Sequence, residues 1–344
     1  MKSVIAAACL LLAGIAASRA ETAAEFYRNR QLTMLIGTTA GGGYDIFGRM
    51  FARYMGKYLP GGSARFVVKN MPGAGGLAAT NHTYNLGERD GTLITTVGRD
   101  AIFEPLLAAD GQARFDPRRF LWLGTPNVEV GMIYVSTASG VRSIEEARRR
   151  EVTIATAGSP RSPAVTLPRI LNELIGTKFR TISGYPGSME SIVAMERGEV
   201  DGRYSPGWAG PEANKVNDLV AAGKARLLAY LAHEKDPSHS HIPNVLDLTR
   251  NVDDRQVLGV LIAAQALGRP YFAPPGIPED RARALQDAFA AAVQDQGFLA
   301  DAAVQKFDII PKLGPEMTAF IDGIYATPEP LMKRAIDLLN GVQK

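Results

Sequence analysis

The segment "LTMLIGTTAGGGYDIFGRMFARYM", residues 32–55, sets an apolar run, three consecutive glycines and a helical pattern in direct succession. Leu32 to Gly37 reads as a strand. Beyond Asp45, taken as an N-cap, Phe47, Met50, Phe51, Tyr54 and Tyr58 recur at spacings of three and four, which predicts a helix with one apolar face. Helical spacing alone accounts for this stripe, so it is assigned to core rather than to a cofactor surface. Between strand and helix, Gly41 to Gly43 leave backbone N–H groups open at a helix N-terminus, which is a ready anion site. The anion is either a nucleotide phosphate or something else.

The same unit recurs. "ARFVVKN" (64–70) precedes a helix that starts near Gly76, and "GTLITTVG" (91–98), "GMIYVST" (131–137) and "EVTIATAG" (151–158) read as further strands. Strands alternating with helices predict an α/β fold with largely parallel sheets. "SIEE" (143–146) is a capping box, and in "SMESIVAMERG" Ser188 opens a helix that Gly198 closes. The strand pattern restarts after a polar break near Gly124 to Gly131 and stops in "HEKDPSHSHIP" (233–243). These are read as two crossovers between lobes. Residues 21–127 would begin the first lobe, 128–235 form the second, and 236–344, largely helical, complete the first. No internal repeat or low-complexity segment is visible.

Three loops share one chemistry. "GTTAGGGYD", "NMPGAGG" (70–76) and "ATAGSPRSP" (155–163) each follow a strand and precede a helix. In open α/β sheets ligands sit outside the carboxyl ends of the strands, so two loops from one lobe face a third across a cleft. That arrangement suits a small carboxylate, with each charge-assisted bond worth about 1.5–3 kcal/mol. Arg99, Arg161 and Arg203 stand at or near strand ends; Arg99 or Arg161 would pair bidentately with a ligand carboxylate, or serve in a structural ion pair, and both readings stay open. Against the nucleotide reading, "GAGGLA" (73–78) fits G-x-G-x-x-A and acids follow at Glu88 and Asp90, but Pro72 interrupts the entry from the strand and no P-loop pattern exists.

Residues 1–20, "MKSVIAAACLLLAGIAASRA", carry Lys2, an apolar run from Val4 to Ala17 and a small-x-small ending at Ser18 and Ala20, the pattern of a signal peptide cut after Ala20. The run is short for a membrane span, and no later stretch approaches the length of one. A soluble, exported chain is therefore expected. Its one cysteine, Cys9, lies in that segment, so the mature chain has no thiol catalysis, thiolate metal site or disulfide. Losing Lys2 and Arg19 turns 38 Lys+Arg against 35 Asp+Glu into 36 against 35, which gives no electrostatic case for nucleic acid or a membrane surface. "HSH" (239–241) sits in a hydrophilic connector without a ligand pattern, so no metal is expected there. No G-x-S-x-G elbow occurs, and the serines of "GSPRS" and "RYSPG" have no histidine placed beside them by any motif.

In order and spacing, "FYRNRQLTMLIGTTAGGGYDIFGRMFARYM", "VVKNMPGAGGLAATN", "RDGTLITT", "GSPRSP", "MERGEVDGR" and "APPGIPEDRARAL" resemble the Bug-type, TctC-like solute receptors of tripartite tricarboxylate transporters, over nearly the whole mature chain. The resemblance implies a type II periplasmic-binding-protein fold: two α/β lobes, two crossovers and a ligand cleft that closes on a small organic acid. It implies one ligand carboxylate held by Thr38, Thr39, Ala40, Gly42, Gly43, Tyr44 and Asp45 together with Gly73, Ala74 and Gly75. The clamp is completed by Thr156, Gly158, Ser159, Arg161 and Ser162, and Arg99, Tyr185 and Ser205 are further candidate contacts. It also implies a periplasmic monomer without cofactor that hands its ligand to a large and a small membrane subunit. Several positions depart from the family pattern: Thr38 and Thr39 in the first loop, Leu77 after the second, Arg161 and Ser162 in place of a histidine, and "ISGYPGS" in place of a proline-tyrosine-lysine-glycine turn. The side chains that select the ligand are therefore not carried over. An exported hydrolase or dehydrogenase, and a receptor for a membrane sensor kinase, are the competing expectations.

Overall fold

The computed structural model describes residues 21–108, 111–157 and 162–342. Among the described residues eleven strands form two mixed sheets. In the first, β1 (Gln31–Ile36) pairs in parallel with β2 (Arg65–Asn70) and β3 (Leu93–Thr96). The short β10 (Tyr271–Ala273) then runs antiparallel between β3 and β4 (Leu121–Thr125), and β11 (Lys312–Leu313) closes the edge. In the second, β6 (Val152–Ala157) pairs in parallel with β7 (Phe179–Tyr185) and β8 (Gly202–Ser205). There β5 (Gly131–Ser136) runs antiparallel between β8 and β9 (Ala225–Leu231).

Both sheets follow one plan. Three parallel strands stand in the spatial order second, first, third, followed by one antiparallel strand that arrives from the other sheet. β5 enters directly from β4 through residues 126–130, and β10 returns after β9 through residues 232–270. The chain stays against the second sheet for part of that return, since Asn244 bridges Tyr230 and donates to Ala232 O at 2.8 Å. This is the two-sheet α/β architecture expected above, with two crossings between the sheets.

The opening segment forms β1 and helix α1 (Gly43–Met55). Its stripe is core at Phe47, Met50 and Phe51, which are buried, while Tyr54 is half-buried and Tyr58, beyond the helix end, is exposed; the Phe51 ring lies 4.7 Å from Tyr271, 5.0 Å from Phe289 and 5.6 Å from Phe298. Those partners belong to β10, α6 (Glu279–Ala292) and α7 (Gln296–Val304), so C-terminal residues complete the core around α1. Asp45 does not cap the helix. Gly42 is the N-cap residue, because the turn at Gly41 (φ 84°) brings the chain into helical geometry three residues before the expected start. Ser143 does cap its helix, although Glu146 reaches back to the N–H of Arg142 rather than that of Ser143. Likewise Gly187, not Ser188, is the N-cap of α4 (Ser188–Glu196), and Gly198 follows its end at φ 77°. Among the described residues no helix is long and apolar enough to cross a membrane.

Candidate ligand cleft between the sheets

The carboxyl ends of β1, β2 and β3 lead into three loops, and glycine has two separate jobs in them. Gly37, Gly76 and Gly98 permit close packing: a Cβ on Gly37 would lie 2.7 Å from Val97 Cγ1, one on Gly76 3.2 Å from Val97 Cβ, and one on Gly98 3.1 Å from Gly75 O. A Cβ on Gly43 or Gly75 would meet nothing within 4 Å, and one on Gly42 only Thr39 O at 3.7 Å. Thr39, Ala40 and Gly41 to Gly43, with Gly73 to Gly75, are exposed around this open space. Gly73, Ala74, Gly75 and Gly76 all have positive φ, and for Ala74 (φ 46°) that conformation costs on the order of 1–2 kcal/mol. Such strain persists only where the surroundings over-determine the backbone, which is a mark of ligand clamps.

The first loop is held from behind by Asp45 and Asn70. The buried Asp45 carboxylate accepts from Gly41 N–H at 2.9 Å, from Arg49 Nε at 2.9 and 3.0 Å, and from Asn70 Nδ2 at 2.8 Å. Asn70 also donates to Thr38 O at 3.0 Å and accepts from Arg49 Nη2 at 2.7 Å. Burial pushes the Asp45 carboxyl up, but the bonds from Arg49, Gly41 and Asn70 outweigh it and hold it at about 2. With both oxygens engaged and negative, Asp45 shapes the cradle and does not itself meet an anion.

The sign of the pH effect follows. A carboxyl depressed on folding contributes stability that is complete above its ordinary value near 3.8 and disappears as pH falls through about 2. With Arg49 half exposed, this contribution is about 1–2 kcal/mol. Asp45→Asn is therefore expected to lose about that much at neutral pH and to converge with the parent near pH 2, as urea melts across the acid range would record.

Five helices start at the cleft: α1, α2 (Leu77–Asn85), α3 (Pro163–Ile175), α4 and α5 (Gly210–Ala221). None has a side-chain cap. Of the helices that start elsewhere, four are capped by Thr22, Ser143, Asn251 and Asp295, whereas α6, Gly314–Tyr325 and Glu329–Asn340 have no side-chain cap either. The first-turn N–H groups at the cleft thus keep their capacity for an outside acceptor. Two hydroxyls there have buried oxygens without a partner, Thr38 Oγ1 beside the first loop and Ser162 Oγ at the start of α3.

The remaining candidates divide. Tyr44 is committed to the first lobe, where its hydroxyl donates to Gly268 O at 3.1 Å and accepts from Arg99 N–H at 3.2 Å; burial pushes its pKa up. Thr156 bonds Ser183 Oγ at 3.0 Å, and Ser205 donates to Gly207 O at 3.2 Å. Tyr185 is half-buried at the end of β7. Of the two readings left open for Arg99, the ion pair is the one seen: it pairs with Glu129 and donates to Pro206 O at 3.1 Å. Arg203 is not at a strand end but buried within β8, bonded to Glu212 at 2.9 Å and Ser188 at 2.8 Å. Gly158, Ser159 and Arg161, like the expected signal segment, lie outside the described residues.

The sequence reading missed Asn70, Glu129 and Arg269. The one local signal was an acid, Glu129, between the two apolar runs of consecutive strands. A cavity of about 990 Å³ is lined by the first crossing (Asn127 to Val130), the start of α5 (Ala209 and Gly210) and residues 306–310, and no residue of the glycine loops lines it. Among the described residues no group of three or more His, Cys, Asp or Glu side chains is placed to hold a metal ion.

No model of a known protein family matches the chain. A UPF0065 protein from the gbd 5' region of Cupriavidus necator is 26% identical over 316 residues, which covers 89% of this chain and 87% of the relative. A TctC solute-binding protein from Polaromonas, solved without ligand, superposes with a TM-score of 0.71 at 18% identity, over 92% of this chain and 99% of that one. MatC from Rhodopseudomonas palustris, solved with bound malate, gives 0.54 at 16% identity, over 90% and 99%. The chain thus has the two-lobed fold of the TctC-type solute-binding proteins, and along most of its length it is similar to a UPF0065 protein.

Proposed function

We propose that this protein is a periplasmic receptor that captures a small carboxylate in the cleft and releases it to the membrane subunits of a tripartite tricarboxylate-type transporter, without chemical turnover. The observation that carries this reading is the cradle itself: glycines open to solvent beside uncapped helix ends, with the Thr38 and Ser162 hydroxyls unpartnered. Residues 21–127 with 236–344 form one lobe and 128–235 the other, hinged on the two crossings. A ligand that touches both lobes only when they are shut favours the closed state by its binding energy. The malate in MatC supports a carboxylate as the class.

A thermal-shift panel of mono-, di- and tricarboxylates, aromatic acids, inorganic phosphate and NAD tests this. A carboxylate at a hundred times its Kd should add about 2.7 kcal/mol of stability. A shift with phosphate or NAD and with no carboxylate would overturn the reading, as would conversion of any panel member followed by NMR.

A further inference from the structure

Behind the cradle, Arg99, Glu129 and Arg269 form a cluster of two cations and one anion, with side chains 9–12% exposed. Glu129 lies in the first crossing between the sheets and pairs through one oxygen with Arg99 and through the other with Arg269 Nη1 at 2.9 Å. Arg269 Nη1 also donates to Asn127 Oδ1 at 3.1 Å. Arg99, after β3, reaches the loop after β8 by donating to Pro206 O at 3.1 Å. That loop rests directly on the pair: a Cβ on Gly207 would lie 2.5 Å from Glu129 Oε2 and 3.1 Å from Arg99 Nη2. Its next residue, Trp208, donates its backbone N–H to Val130 O at 2.9 Å. On the other side, the Arg99 N–H donates to Tyr44 Oη, and Tyr44 stands in the first turn of α1 beside the open glycines.

We propose that Arg99 and Glu129 are positioning residues that set the angle between the lobes and link it, through Tyr44, to the cradle. Rotation of the second lobe about residues 126–130 must carry Pro206 and Gly207 across this pair. The pair cannot separate cheaply, because an unpartnered buried charge costs far more than the pair contributes. The lobes therefore move over a fixed ionic seat whose shape admits no side chain at position 207. Arg99 is suited to the role, since one planar guanidinium serves a carboxylate and a carbonyl at once, which an ammonium cannot do in the same geometry. The link to the cradle rests on the proposed carboxylate reading of the cleft, whereas the resting angle does not.

The test uses the mature chain, whose expected sequence has no cysteine, with spin labels at Ile46→Cys and Met189→Cys. Both residues are exposed, near the starts of α1 and α4 on opposite lobes. Pulsed EPR distance distributions are compared without ligand for the parent and for Arg99→Lys, Tyr44→Phe and Gly207→Ala. The last removes no charged group and guards against loss of fold in the first. Each variant is expected to shift the interlobe distance while its far-UV circular dichroism matches the parent. Unchanged distances in all three overturn the proposal. So does an Arg99→Lys protein that melts earlier at parental distances, since that assigns the pair a purely structural role. Failure of every acid to bind would overturn the function proposed above without altering this measurement, so the two readings fail separately.

Discussion

Gly42→Val is expected to weaken carboxylate binding on the order of a hundredfold or more, with the fold retained. Gly42 has φ −78°, a value any residue adopts, and the added Cβ would meet only Thr39 O at 3.7 Å. The substitution is thus free of backbone strain, and the valine methyls stand where the anion would lie. Losing two charge-assisted bonds of about 1.5 kcal/mol each gives that factor. Gly75→Val is the less clean companion: Gly75 has φ 67°, so a β-branched residue there adds strain of at least about 1–2 kcal/mol to the steric block. Calorimetric titration with whichever acid gives the largest thermal shift, beside a melting curve, separates affinity from stability. Parental affinity in Gly42→Val would sink the cradle.

The second large effect is on stability. Glu129→Ala is expected to cost about 3–5 kcal/mol, because it leaves two buried guanidiniums facing each other with no anion between them. Arg269 would keep its bond to Asn127 Oδ1 but no anion: its Nε already lacks a partner, and its planar head is packed 4.7 Å from the Phe307 ring centroid and 5.3 Å from that of Phe47. Glu129→Gln keeps the shape and isolates the charge. Burial pushes the Glu129 carboxyl up, but the attraction of Arg99 and Arg269 outweighs it and holds the group below the usual glutamate range. Its contribution is therefore complete above about pH 4 and declines only in stronger acid. Denaturant midpoints followed down the acid limb should fall for the parent and stay flatter for Glu129→Gln.

The fold was legible wherever the information was local. β1, β2, β3, β5 and β6 lie where period and turn residues put them, and the Phe47–Phe51 stripe is core as its spacing demands. The first two glycine loops were legible for the same reason. β10 was not: Tyr271 to Ala273 lie between Pro270 and Pro274, and three residues are too few to show a period. Arg99 was left between two readings because its partner, Glu129, is thirty positions away and meets it only through the crossing of the chain between sheets. Asp45 was misread by three positions within its helix. An acid near the start of a helix serves as N-cap or as an N3 acceptor according to where the preceding glycine turns, and residue types do not reveal that turn.

The placement of β10 has a consequence for the order in which the molecule takes shape as it is made. The second sheet draws every strand from residues 131–231, so that stretch can fold once it has been synthesised. The first sheet cannot, since β10 stands between β3 and β4 and joins them only when residues 271–273 arrive. Until then β3 and β4 each keep an open edge, and α1 lacks the aromatic partners it takes from residues 271–298. The half of the protein made first is therefore finished last.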